Sequence, residues 1–492
     1  MAGNTPNLLF IWTDEQRPDT IGAYGNPRIR TPAIDRLAAR SAVFEQAYCS
    51  SPVCTPSRGT VLTGLYPHRH GATHNNVPLP EEVPTIAELL RPHGYICGYA
   101  GKWHLGHELR PQHGFEWWSS MEDGYIRDHR SEGFSTYHHW LLEQGFTPPD
   151  TAPDGSPVFS RRTAARLPEA AGKPAFLARE ACRFLDAHGR EPFVLVVNFL
   201  EPHMPFFGPW DAMYPPQEME LPPTWYGAPD AGMPRRHRLR RQGYATHNPH
   251  VETNDAPGWK ALKARYWGLA SLVDAYVGRI LDHLARLGLD EETIVVYSTD
   301  HGDMMGEHRL LAKGVQYEGA SRVPLIVRVP GLGPRRLATP VSQVDLVPTL
   351  LEALGRAVPG HLQGRSLLPL MRHGDAGDQG EAEVVFEWSG ARGGTLADGH
   401  RMEGDPEVAR VQAAQQRTIR CGRWKLTVDE AGEHELYDLR ADPLETTNLL
   451  YGDRLSQAPG AADAVAELWA RLLAWQERTA DRLALPQPVP WS

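Results

Sequence analysis

The segment Cys54-Thr55-Pro56-Ser57-Arg58-Gly59 holds the residue types in this sequence best suited to covalent chemistry. Pro56 and Ser57 fit a first helical turn and Gly64 fits its end. Cys54 then sits where backbone N–H groups and the helix dipole favour an anion. A cysteine so placed is either a nucleophile with a depressed pKa or an inert buried thiol. Titratable, ligand-type residues gather at three further points: Asp14-Glu15-Gln16, Glu201-Pro202-His203 and Asp300-His301-Gly302-Asp303.

Each of those three clusters directly follows an apolar run. Residues 7–13, 192–200 and 293–299, together with 323–329, read as strands buried on both faces. Helical patterns over 31–40, 85–92, 173–188 and 260–287 fall between them. The alternation predicts an α/β fold, a large mostly parallel sheet sandwiched by helices. Ligands bind such sheets beyond the carboxyl ends of the strands, so three reactive strand ends imply one site. From about residue 371 the pattern changes. Runs at 384–388, 417–428 and 434–439 predict a smaller antiparallel sheet, closed by a helix over 461–483 with Leu468, Leu472, Leu473 and Trp475 inward. The expected division is a catalytic α/β domain, 1–370, and a C-terminal α+β subdomain, 371–492, that completes the cleft. Two stretches, 106–170 and 202–258, fit no regular pattern and read as cleft walls. Inside the second, the charge run at 235–241 reads as a solvated loop, with a clamp for an anionic substrate as the alternative.

Composition narrows the class of partner. A net charge of −10 over 492 residues argues against nucleic acid or an anionic membrane surface. No apolar run approaches the ~20 residues needed to span a bilayer, and the run at 8–12 is too short for a signal-peptide core. A cytoplasmic protein is expected. Five cysteines, from Cys49 to Cys421, form no disulfide framework.

Taken in order, these motifs resemble the type I sulfatases, formylglycine-dependent enzymes of the alkaline phosphatase superfamily. Cys54-Thr55-Pro56-Ser57-Arg58 matches their Cys-x-Pro-Ser-Arg signature, flanked by Ser50-Ser51-Pro52-Val53 and Thr63-Gly64-Leu65-Tyr66-Pro67-His68. Gly101-Lys102-Trp103-His104-Leu105-Gly106, residues 13–17, 298–308 and 322–326, and the tail motifs at 422–426 and 435–439 follow in the family's order. The resemblance implies that a maturase converts Cys54 to formylglycine. One hydroxyl of the hydrated aldehyde attacks sulfur and expels the alcohol, and the other collapses to release sulfate. It also implies a divalent metal on Asp14, Glu15, Asp300 and His301. The carboxylates favour Ca²⁺, while the imidazole makes Mn²⁺ a competitor. Glu15 stands where many members have Asp, and His301 where many have Asn. By the same resemblance Arg58 holds the aldehyde, Lys102 and Lys313 bind sulfate oxygens, His104 is the base, and His203 serves the leaving oxygen. Asn75 is a further sulfate or substrate contact.

The implied substrate is a small-molecule or sugar sulfate ester; the oligomeric state stays open. A phosphonate or phosphate-ester hydrolase on the same scaffold is the alternative, and Lys102 and His104 favour sulfate over it. A binding protein whose Cys54 remains a thiol is the third reading. His308 reads as a loop residue; His68, His70, His107, His129, His138 and His139 read as surface.

Overall fold

The computed structural model describes residues 6–122, 133–147, 167–227, 231–247, 255–375, 382–390 and 406–492. Alternation along β1 (Asn7–Asp14) sets its architecture. Leu8, Phe10 and Trp12 pack into one apolar layer, Leu9 and Ile11 into the other. A strand buried on both faces belongs inside a sheet covered on two sides. Its companions are β2 (Ala42–Tyr48), β3 (Ile96–Gly101), β4 (Trp117–Ser120), β5 (Phe193–Pro202), β6 (Thr293–Thr299), β7 (Arg322–Arg328), β8 (Arg335–Leu337) and β9 (Val341–Ser342). They form a nine-stranded sheet in the order β4-β3-β5-β1-β6-β7-β2-β8, with β9 also on β2. Every pairing is parallel except those of β7 with β6 and β2.

Helices Lys173–His188 and Ala256–Arg286 cover one face through Phe176, Phe184, Val273 and Val277. Helices Cys54–Thr63, Ile86–Leu90 and Leu346–Ala353 cover the other through Leu62, Leu90 and Leu350. A second, antiparallel sheet follows: β10 (Glu383–Trp388), β11 (Gln416–Cys421), β12 (Trp424–Asp429) and β13 (Glu435–Asp438). The helix Ala461–Thr479 packs on it through Leu468, Leu472 and Trp475. The second unit meets the first through Trp475, edge-on to Tyr66, through Phe386, stacked on Tyr48 of β2, and through Glu387, whose N–H donates to Ser50 O.

Three expectations need correction. Leu473 does not face inward but is 44% exposed. Positions 468, 472 and 475 share a helical face, and 473 lies about 100° away from 472. The charge run at 235–241 is not a solvated loop. It opens the helix Arg235–His247, and Arg236, His237 and Arg240 are buried. Spacing of four puts Arg236 and Arg240 on one face, turned toward acceptors of the second sheet and its neighbours. Arg236 donates to the carbonyls of Val411 and Ala414 and lies 3.7 Å from Asp429. Finally, His70, His107 and His138 are buried rather than on the surface. His70 meets Pro56 O and Thr60 Oγ1, and burial lowers its pKa to about 4, so it packs as a neutral ring. His129 lies outside the described residues. Of the two stretches read as irregular, 106–170 contains β4 and the helix Thr136–Glu143, with 123–132 and 148–166 outside the described residues.

Candidate active site

Four adjacent parallel strands, β3-β5-β1-β6, end at the same edge of the sheet. Lys102 follows β3, His203 follows β5, Asp14 and Glu15 lie at the end of β1, and Asp300 and His301 follow β6. Glu15 at φ 65 and His104 at φ 59 adopt left-handed backbone, which turns the chain sharply as it leaves β1 and β3. Gly101 has φ 126, and a Cβ there would lie 2.0 Å from Asn198 O, so only glycine lets β3 end this close to β5. The turn beyond it is closed by Glu108, whose carboxylate accepts the N–H groups of Trp103 at 3.1 Å and His104 at 2.6 Å. Burial pushes the Glu108 carboxyl up to about 7.

The helix Cys54–Thr63 points its N-terminus at this edge and stops at Gly64, φ 69. Cys54 is therefore the first helical residue, as its spacing to Pro56 and Gly64 requires. Thr55 anchors the entry: its N–H donates to Asn75 Oδ1 at 3.1 Å and its hydroxyl to His104 O at 2.9 Å. One turn on, Arg58 binds Asp14 Oδ2 at 2.9 Å, Asp300 Oδ2 at 3.1 Å, Lys102 O at 2.7 Å and Asn198 Oδ1 at 2.8 Å. Its guanidinium also lies 4.9 Å from the Trp12 ring centre. Lys102 Nζ reaches Asp14 Oδ2 at 2.5 Å. At the neighbouring Glu15, Lys313 bonds the carboxylate and lies 2.9 Å from His203 Nε2, itself 3.2 Å from Glu15 Oε1. Lys313 is delivered by a loop that Asp303 braces, accepting from Met305 N and Ala312 N, and that Gly314 N ties to Pro52 O.

Cys54 Sγ stands 3.3 Å from His301 Nε2 and 3.9 Å from Asp14 Oδ1. Burial, reinforced by Asp14, pushes its thiol far above the ordinary range, while Lys102 and Arg58 act in the opposite direction. Asp300 is raised by burial and by Asp14. For Asp14 burial acts upward too, but Lys102, His203, Arg58 and Lys313 together hold it well below the usual carboxylate range. The same two carboxylates hold Arg58 protonated despite burial.

Ligand atoms of Asp14, Cys54, Asp300 and His301 all lie within 4.8 Å of one another, and Asp14, Glu15 and His203 form a second such group. These residues fit a divalent cation. Two buried carboxylates and an imidazole converge, and the buried Glu15 Oε2 accepts no hydrogen bond from the described residues. Charge agrees: Asp14, Glu15 and Asp300 are matched by Arg58, Lys102 and Lys313, so a bound dication makes the site net positive, suited to an anionic ester. Glu15 turns toward His203 and Lys313 and away from the Asp300–His301 side.

Nine of the eleven residues singled out by sequence thus meet through direct contacts. His104 and Asn75 adjoin the centre through Thr55, and Asn75 spends its side-chain oxygen on that backbone bond. His308 lies elsewhere, buried and stacked on Tyr317. Sequence reasoning missed Asn198, Asn76 (3.0 Å from His104 Nε2), Glu108 and Arg240, which donates to Lys313 O. Asn198 did leave a signal, a lone amide inside the apolar run of β5.

The Sulfatase family model matches residues 6–356. The chain is 29% identical to the uncharacterized sulfatase YidJ of Escherichia coli strain K12, over 97% of this chain and 88% of that one. It is 28% identical to the multifunctional alkaline phosphatase superfamily protein PehA of Trinickia caryophylli, over 97% and 96%. The crystal structure of the phosphonate monoester hydrolase of Agrobacterium radiobacter shares the fold, with TM-score 0.74 at 24% identity and 96% of each chain covered. Fold, centre and relatives together define a hydrolase of the alkaline phosphatase superfamily. Within it the chain belongs to the Sulfatase family, and its activity is of the sulfatase type.

Proposed function

We propose that this chain hydrolyses a sulfate monoester, a small-molecule or sugar ester, to an alcohol and inorganic sulfate, using formylglycine made from Cys54. The observation that carries this reading is the placement of Cys54 Sγ among Asp14, Asp300 and His301, ringed by Arg58 and Lys102. Burial and Asp14 raise the Cys54 thiol, which disfavours the thiolate that a cysteine mechanism would need. Formylglycine at position 54 supplies a hydrated aldehyde, whose hydroxyl is the nucleophile toward sulfur. A divalent metal, Ca²⁺ by the carboxylates or Mn²⁺ by the imidazole, would be held by Asp14, Asp300 and His301, with Glu15 as a neighbouring carboxylate, and would supply positive charge beside that residue.

The chain's own groups divide the remaining work. Arg58, locked by four acceptors, fixes the orientation of the residue at 54 from one helical turn away. Lys102, held on Asp14, and Lys313, held on Glu15, bind the sulfate oxygens, stabilising charge that builds there. His203, in contact with Lys313, gives a proton to the leaving alcohol oxygen. His104, steadied by Asn76, accepts the proton released at position 54. Residues 1–370 carry this centre and 371–492 close the cleft beside it. A formylglycine-generating maturase is the required partner, and cytoplasmic residence is part of the same reading. Secondary turnover of phosphoesters is part of the same reading, one relative being a multifunctional protein of the alkaline phosphatase superfamily.

The deciding experiment is fragment-level mass spectrometry of the tryptic peptide 41–58 after co-production with an active maturase. Thiol-to-aldehyde conversion at Cys54, with turnover of an aryl sulfate in Ca²⁺ or Mn²⁺, is the expected result. An unmodified Cys54 beside a fully converted control substrate would overturn the proposal.

A further inference from the structure

The left-handed backbone at Glu15 has no intrinsic support, because at φ 65 its Cβ crowds a carbonyl oxygen. Hydrogen bonds must hold the turn instead. Glu15 N–H donates to Asp300 Oδ1 at 3.2 Å and Gln16 N–H to Thr299 Oγ1 at 3.1 Å, both at the end of β6. The third support comes from a different layer. Tyr266, fully buried in the helix Ala256–Arg286, accepts from Arg17 N–H at 3.1 Å and donates to Glu15 O at 2.5 Å. A tyrosine hydroxyl can both donate and accept, and this one does both on the same turn.

Two more segments of the centre meet the Tyr266 ring. Phe206, three residues beyond His203, lies edge-on to it with 5.7 Å between ring centres. Leu311 and Ala312, which lead directly into Lys313, belong to the same apolar cluster. Tyr266 therefore joins the segments that carry Glu15, His203 and Lys313, three residues in mutual contact. Its ring serves the packing and its hydroxyl serves the turn.

We propose that Tyr266 is a positioning residue for the leaving-group side of the centre, its hydroxyl holding Glu15 where the carboxylate fixes Lys313 and His203. The inference rests on the function proposed above, which gives His203 the leaving oxygen and Lys313 the sulfate oxygens. Without the hydroxyl, Glu15 O and Arg17 N–H lose a partner inside a buried turn, and a backbone held at positive φ is free to relax. The carboxylate then shifts relative to Lys313 and His203. Proton delivery suffers most where the departing alcohol is a poor leaving group.

The test compares the matured parent with Tyr266→Phe, which keeps the ring, and with Tyr276→Phe as a control. Tyr276 lies on the same helix, and its hydroxyl bonds Glu169 Oε1 at 3.2 Å, outside the centre. Mass spectrometry first reads the formylglycine content of each chain, and rates are expressed per converted chain. Tyr266→Phe should lower kcat/KM on phenyl sulfate by about tenfold or more, and far less on nitrophenyl sulfate, whose leaving group needs little protonation. Tyr276→Phe should leave both rates unchanged. Equal losses on the two esters in Tyr266→Phe, or no loss on either, overturn the proposal. Crystal structures of the parent and Tyr266→Phe chains read the same point without turnover. Glu15 should abandon its positive φ or its contact with Lys313 in the variant, and an unmoved Glu15 overturns the inference. A converted parent that is inactive on both esters defeats the proposed function instead, and the pair of crystal structures still decides the part played by Tyr266.

Discussion

At Cys54 the geometry separates reactivity from stability. The side chain is small and buried, and its sulfur contacts are polar neighbours rather than core packing. Cys54→Ala should abolish sulfate-ester turnover while changing the unfolding free energy by no more than about 1 kcal/mol. Near-parental rates in that variant would sink the nucleophile assignment. Lys102→Ala, removing one charge from the proposed sulfate cradle, should lower kcat/KM on an aryl sulfate by about a hundredfold or more. An unchanged ratio would take Lys102 out of that cradle. Glu108 makes a prediction about pH. Its carboxyl is pushed from the ordinary 4.5 up to about 7 by burial, so the folded chain holds the proton more tightly between those values. Its favourable contribution is whole below pH 4.5 and is lost as pH rises through 7. Urea midpoints of the parent relative to Glu108→Gln should therefore fall across that window; a pH-independent difference would refute it.

The elements matter here because their ends, not their middles, carry the centre. β3 must finish against β5 for Lys102 to reach Asp14, and Gly101 is the residue that permits it. Gly101→Ala forces a Cβ onto a backbone oxygen at left-handed φ. It should cost about 2 kcal/mol or more and lower turnover as well, read by thermal unfolding and steady-state rates. Retention of both would mean that the strand end tolerates displacement. The helix Arg235–His247 plays a comparable part. Arg240 packs its guanidinium against Gly314 and donates to Lys313 O, so a run that looks like surface charge braces the loop bearing a site lysine.

At the scale of the whole molecule, two changes test stability: loading of the proposed metal site and removal of the second sheet. Exhaustive chelation should bring turnover to background, restored by Ca²⁺ or Mn²⁺. At a hundred times the dissociation constant, bound metal should add about 2.7 kcal/mol to unfolding free energy. Full activity after chelation would exclude the metal from the reaction. Ending the chain at residue 375 should leave an insoluble or unfolded product, because half-buried groups of the first unit pair with buried groups of the second. His68 Nδ1 sits 2.6 Å from Glu387, and Glu318 sits 3.1 Å from Lys425. A soluble, cooperatively folding 1–375 chain, seen by circular dichroism, would contradict this.

Much of this was written in linear order. Double-sided burial of β1, β5 and β6 follows from their unbroken apolar runs, and reactive residues stationed just after those runs mark the carboxyl edge of a parallel sheet. The start and stop of the Cys54 helix follow from Pro56 and Gly64, because their effects on the backbone are local. What depends on partners distant along the chain stayed hidden. The 235–241 run folds as a half-buried helix because carbonyls near 411–414 and Asp429 accept its charges. The large sheet also takes in β2, whose run is broken by Glu45 and Gln46, and the short β4, which no periodicity marks. Likewise Asn198, Asn76 and Glu108 act only through what the fold sets beside them. The sequence by itself therefore determined which residues can react and which strand ends carry them. Tertiary structure alone decided which cation faces which carboxylate, because hydrogen bonding and Coulomb attraction depend on distances that only the packed chain defines.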